Sequence, residues 1–85
     1  MDGISDIDRR IVREIIVGHF ELFETQGFTR DAVYHVVMTD RDMPKVAGKL
    51  GYVIQEFDRL LAQGAIVDAG GAGPKQLFRL RKARD

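Results

Sequence analysis

The chain has 85 residues, 45% hydrophobic and 31% charged, with 13 basic side chains balancing 13 acidic ones. This length supports one core rather than two, and the composition is that of a globular protein, which excludes a disordered or fibrous chain. Cysteine is absent, so disulfides, thiolate chemistry and cysteine-based zinc sites are excluded as well.

No apolar run approaches the roughly 20 residues of a membrane helix, so no membrane association is expected. The acidic start, Met1-Asp2-Gly3, differs from the basic start of a secretory signal, and a cytoplasmic location is the expectation. A single domain spanning 1–85 is expected, with an ordered core from about residue 6 to about residue 82. Charge is unevenly spread. Residues 1–40 carry four arginines against eight acids, a net −4, and residues 41–85 carry nine basic residues against five acids, a net +4. An anionic partner would be drawn to the second half.

Ser5-Asp6 predicts a helix start near residue 6, because their side-chain oxygens can accept the free amides of a first turn. Ile7, Ile11, Ile15, Leu22 and Phe23 recur at helical spacing, with Val12, Ile16 and Phe20 widening the stripe. That girth exceeds what one small core is expected to cover, which makes Ile4, Val12, Ile16 and Phe20 the candidates for a homodimer contact through the first helix. Gly27 should end this helix after Gln26 in a left-handed conformation.

Phe28-Thr29 opens a second unit, with Thr29 as cap and Ala32, Val33, Val36 and Val37 as the apolar face of a short second helix. Their 3-and-4 spacing favours a helix over a strand despite the β-branched side chains. Thr39-Asp40-Arg41-Asp42 then supplies a turn and a cap.

Met43, Val46, Ala47, Leu50, Val53, Ile54, Phe57, Leu60 and Leu61 trace one amphipathic face, which predicts a continuous third helix over 43–62 with Pro44 in its first turn. Gly48 and Gly51 weaken it, and a break near Gly51 is the alternative. Gly64 should cap its end. Residues 65–69 and 75–81, separated by Gly70-Gly71-Ala72-Gly73-Pro74, read as a β-hairpin with Phe78 and Leu80 facing inward and Arg79 and Arg81 projecting into solvent. The expected class is α+β, three helices followed by a hairpin.

This order, with Leu60-Leu61-Ala62-Gln63-Gly64-Ala65-Ile66 at the junction and Gly73-Pro74-Lys75-Gln76-Leu77-Phe78-Arg79-Leu80 as a returning strand, resembles the winged helix-turn-helix domains of bacterial and archaeal regulators. The resemblance implies double-stranded DNA as partner, the third helix in the major groove and the wing on phosphate or minor groove. Projected as one cylinder, helix 43–62 would present Lys45, Gly48, Lys49, Tyr52, Gln55, Glu56 and Arg59 opposite its apolar stripe, with Lys45 and Lys49 as surface neighbours. Lys75, Arg79, Arg81, Lys82 and Arg84 make the wing and tail basic, as counterion release at phosphates favours. The expected DNA contacts are therefore Lys45, Gly48, Lys49, Tyr52, Gln55, Lys75, Arg79, Arg81 and Lys82. The competing readings are a solvated helix face with a solubilising tail, and a winged-helix module that binds protein instead of DNA.

Enzymatic chemistry is not expected. The Gly70–Gln76 run lies between strands and lacks the glycine before lysine and the Ser or Thr after it that a phosphate-binding loop needs. His19 and His35 sit on different predicted helices without a third nitrogen or sulfur ligand, so each reads as a partly buried or interface histidine; no metal and no cofactor is expected. Ser5, the only serine, caps rather than attacks. Asp40 and Asp42 are better explained by capping than by acid-base work.

Overall fold

The computed structural model describes residues 5–22 and 27–81. Ile4, Phe23, the expected helix end at Gln26, and Lys82, Arg84 and Asp85 of the basic tail lie outside the described residues.

The first helix, α1 (Asp6–Leu22), starts where Ser5 Oγ accepts the Asp8 amide at 3.1 Å. Its buried line is Val12, Ile16 and Phe20, whereas Ile7 and Leu22 are each 73% exposed. This corrects the sequence reading twice. The stripe faces a different way from the one expected, and Val12, Ile16 and Phe20 belong to the domain's own core, so they cannot form a dimer contact. The Phe20 ring sets the phase, edge-on to Phe28 at 5.5 Å and tilted to Phe57 at 6.3 Å.

Gly27, at φ +76°, leads into a strand that the sequence did not announce, β1 (Phe28–Thr29). A Cβ at Gly27 would lie 3.0 Å from the Phe78 carbonyl oxygen, so close approach and left-handed backbone both call for glycine here. Thr29 then serves two elements: it ends β1, and its Oγ1 accepts the Ala32 amide at 3.2 Å as the cap of α2 (Arg30–Met38). Val33 and Val37 are buried, as the helical spacing required.

The third helix, α3, spans Lys49–Ala62, not 43–62. Pro44 disfavours helical backbone at the residue before it, and Gly48 takes φ +71°, a left-handed conformation no helix interior contains. The break thus falls at Gly48 rather than Gly51, which lies within α3. Asp42 does not cap α3; Gly48 holds that position without a side-chain bond. Asp40 Oδ1 instead accepts the Asp42 amide at 2.8 Å and shapes the connecting turn, and Met43 remains buried in the core without belonging to the helix. The C-terminal end is as expected: the Gly64 amide reaches the Leu61 carbonyl at 3.1 Å and the Ala65 amide that of Leu60 at 2.9 Å.

Strands β2 (Ile66–Gly70) and β3 (Leu77–Leu80) form the hairpin, with a 3-10 turn at Gly73–Lys75 between them. β1 adds to the other edge of β3, giving an antiparallel sheet in the order β1-β3-β2 with Phe28 opposite Phe78 and Ile66 opposite Leu80. The class is α+β, three helices followed by a C-terminal hairpin, an arrangement compatible with a winged helix. Phe57, fully buried on α3, packs edge-on against Tyr34 of α2 at 5.6 Å and Phe78 of β3 at 5.3 Å, which joins the helices to the sheet.

Candidate functional site

The expected contact residues divide into separate groups. Lys45 is exposed in the segment before α3, Gly48 is the exposed cap residue and Lys49 opens the helix. Lys45 and Lys49 therefore flank a helix start; they are not helical neighbours, because the turn at Gly48 intervenes. Gln55 is exposed on α3, but Tyr52 is half-buried with the Arg9 guanidinium of α1 5.8 Å from its ring centre. Lys75 is exposed in the 3-10 turn of the hairpin. Arg79 is half-buried, donating from Nη1 to the Leu80 carbonyl at 3.0 Å, which departs from the solvent-facing position expected for it. Arg81 is exposed at the base of the hairpin, its amide bonded to the Ala65 carbonyl at 2.9 Å beside the C-terminal end of α3. α3 has 14 residues, so its two ends lie about 20 Å apart. Lys45 and Lys49 stand at one end and Arg81 beside the other.

The largest departure is Glu56. The sequence places it on the solvent side, yet it is 0% exposed, in line with Val53, Phe57 and Leu60. A buried carboxylate is costly unless paired. Here Arg9 Nη1 lies 3.4 Å from Oε2, Arg13 Nε 3.3 Å from Oε1 and Arg59 Nη1 3.3 Å from Oε2. The side chains of these arginines are 27%, 40% and 47% exposed, so one carboxylate holds three guanidinium groups at the α1–α3 seam with part of each in solvent. The signal for it was present in two places: Arg9 and Arg13 are one helical turn apart, and Glu56 interrupts an apolar quartet, Val53, Phe57, Leu60 and Leu61.

A fourth arginine is structural in its contacts. Arg30 donates to Asp58 at 2.8 Å and to the Tyr34 hydroxyl at 2.7 Å, and its guanidinium lies 4.8 Å from the Phe57 ring centre and 5.6 Å from that of Phe78. The bond to Asp58 holds Arg30 above its ordinary pKa against the opposing cost of burial, and burial pushes the Tyr34 hydroxyl up while the Arg30 bond works against it. Asp58 is thereby neutralised, which relieves α3 of one of its acids. His19 Nε2 sits 3.2 Å from Asp40 Oδ2, half-buried, whereas His35 is exposed, so of the two alternatives expected for it, partly buried or at an interface, the first does not hold. Among the described residues no helix is long and apolar enough to cross a membrane, and no group of three or more His, Asp or Glu is placed to hold a metal ion.

Comparison of the chain with protein-family models, curated proteins and solved structures gives no match.

Proposed function

We propose that this domain binds double-stranded DNA in the manner of a winged helix, as a cytoplasmic transcriptional regulator or an accessory factor of a plasmid, phage or cellular locus, without enzymatic activity. The observation that carries the reading is the chain order, α2, turn, α3, hairpin, with Lys45 and Lys49 flanking the start of α3. In helix-turn-helix proteins that end of the second helix of the pair meets the bases. Gly48 and Gly51 present open space where a Cβ would stand, so backbone there can approach a duplex closely. Gln55 supplies a group able to bond base edges, and Lys75 of the wing a phosphate contact.

Fluorescence anisotropy on a labelled mixed-sequence duplex at several salt concentrations tests this. Affinity should fall with a log-log slope of about −0.9 per phosphate contact, and the Lys45→Ala/Lys49→Ala variant should flatten that slope by about 2. No binding to any duplex at low salt overturns the proposal.

A second reading, contact with protein, is favoured by the exposure of Ile7 and Leu22 on α1, with half-buried Ile11 and Ile15 between them lining an open hollow. It takes the form of a homodimer through this outer face. Sedimentation velocity at high micromolar concentration should then show a dimer, which Ile7→Asp abolishes; a monomer for the unaltered protein removes this reading.

A further inference from the structure

We propose that the α1–α3 seam is a second contact for the phosphate backbone of duplex DNA, made by Arg9, Arg13 and Arg59 and positioned by the buried Glu56; this rests on the DNA-binding reading above.

Three cations around one anion leave the seam two positive charges in excess, more than the pairing of a single carboxylate requires. Glu56 engages one nitrogen of each guanidinium, and a guanidinium presents a fork of further N–H donors suited to phosphate oxygens. Because each is within 3.4 Å of the same carboxylate, the three heads are confined to a region the size of a phosphate group and its neighbours. Ordering long side chains beforehand lowers the entropy cost of binding. The cluster is also part of a longer line. Lys49, Tyr52, Glu56 and Arg59 follow one edge of α3 at helical spacing, with Arg9 against both Tyr52 and Glu56. That edge runs about 15 Å from Lys49 to Arg59, and its first residue belongs to the proposed DNA-facing end. The outward face of α3, in contrast, carries Gly51, Gln55 and the neutralised Asp58. The positive strip of α3 is thus its α1 edge, and half of it is supplied by the segment of the chain whose overall charge is negative. Arg13 also lines a hollow with Arg10, Glu14 and Glu21, and the two carboxylates set a limit to the strip.

The test uses the whole chain with a short duplex. Signals of the arginine Nε–H groups, followed by NMR during titration, should shift for Arg9, Arg13 and Arg59 in the same range of duplex as the backbone amides around Lys49. In anisotropy, Arg13→Gln/Arg59→Gln, which leaves Arg9 to hold Glu56, should weaken binding roughly 10- to 100-fold and flatten the salt slope by about 2. Arg13→Lys/Arg59→Lys, which keeps charge, should restore most of it, and melting curves of both variants establish that they fold. Seam signals that stay fixed while those around Lys49 move would overturn this inference and leave the DNA-binding reading standing. If no signal moves and no duplex binds, both fall together. Equal shifts with inorganic phosphate alone at matched phosphate concentration would also overturn it, since the site would then serve the free anion.

Discussion

Replacing Phe57 by alanine should remove about 3 to 5 kcal/mol of folding stability, measured by urea or thermal unfolding. The ring is fully buried and is the meeting point of three others, Phe20 from α1, Tyr34 from α2 and Phe78 from β3, with the Arg30 guanidinium over it at 4.8 Å. None of these elements can slide into the vacated volume without giving up contacts to another, so the site has little freedom to collapse. The loss is comparable with the whole stability of a domain of this size. A melting curve left unchanged would show that the ring cluster does not join helices to sheet.

The second large effect is expected at Glu56, where substitution by alanine should cost about 2 to 3 kcal/mol. Removing one partner of a fully buried pair is usually more damaging, but the arginines are partly exposed and can regain water. What remains is a small cavity and three guanidinium groups repelling one another. That repulsion is screened by salt, so the deficit of the alanine variant should narrow as ionic strength rises. Unfolding measurements at low and high salt check both parts, and a variant as stable as the parent at low salt would show that Glu56 does not hold α1 to α3.

Local chemistry accounts for what was legible in the sequence. Ser5, Thr29 and Gly64 act on amides or carbonyls within a few residues, the first two starting α1 and α2 and the third ending α3 where short-range rules place them. The α+β class and the hairpin follow from the same kind of signal. What the sequence hid depends on partners distant in the chain. Periodicity carried the third helix back to Met43, because Met43 does pack into the core; an irregular segment can bury the same side chain once Pro44 and Gly48 have stopped the helix. Extending the helix shifted its apparent face, and Glu56 was assigned to solvent although it sits in the core. Of its three arginines, Arg59 is three residues away on the same helix, but Arg13 and Arg9 come from 43 and 47 residues away in the sequence, a separation across which spacing alone fixes no pairing. For α1, two stripes compete on one cylinder, and only the rings of α3 and β1 decide between them. The strand β1 is two residues long and exists because Phe28 and Thr29 find β3 beside them.

The sheet order bears on how this domain behaves when crowded with copies of itself. A row of unpaired amides along an outer strand is a template on which another chain can extend the sheet. One outer strand here, β1, has only two residues. The other, β2, is interrupted where Asp68 pairs with Phe78 and Gly70 with Leu77, so that Ala69 is the extra residue of a bulge, and the Gly70 amide is already taken by Asp68 Oδ1 at 2.8 Å. A bulge twists a strand away from further pairing. Neither border of the sheet therefore offers an incoming strand more than a couple of consecutive positions, and the fold resists growth by sheet addition without needing a cover over its edges.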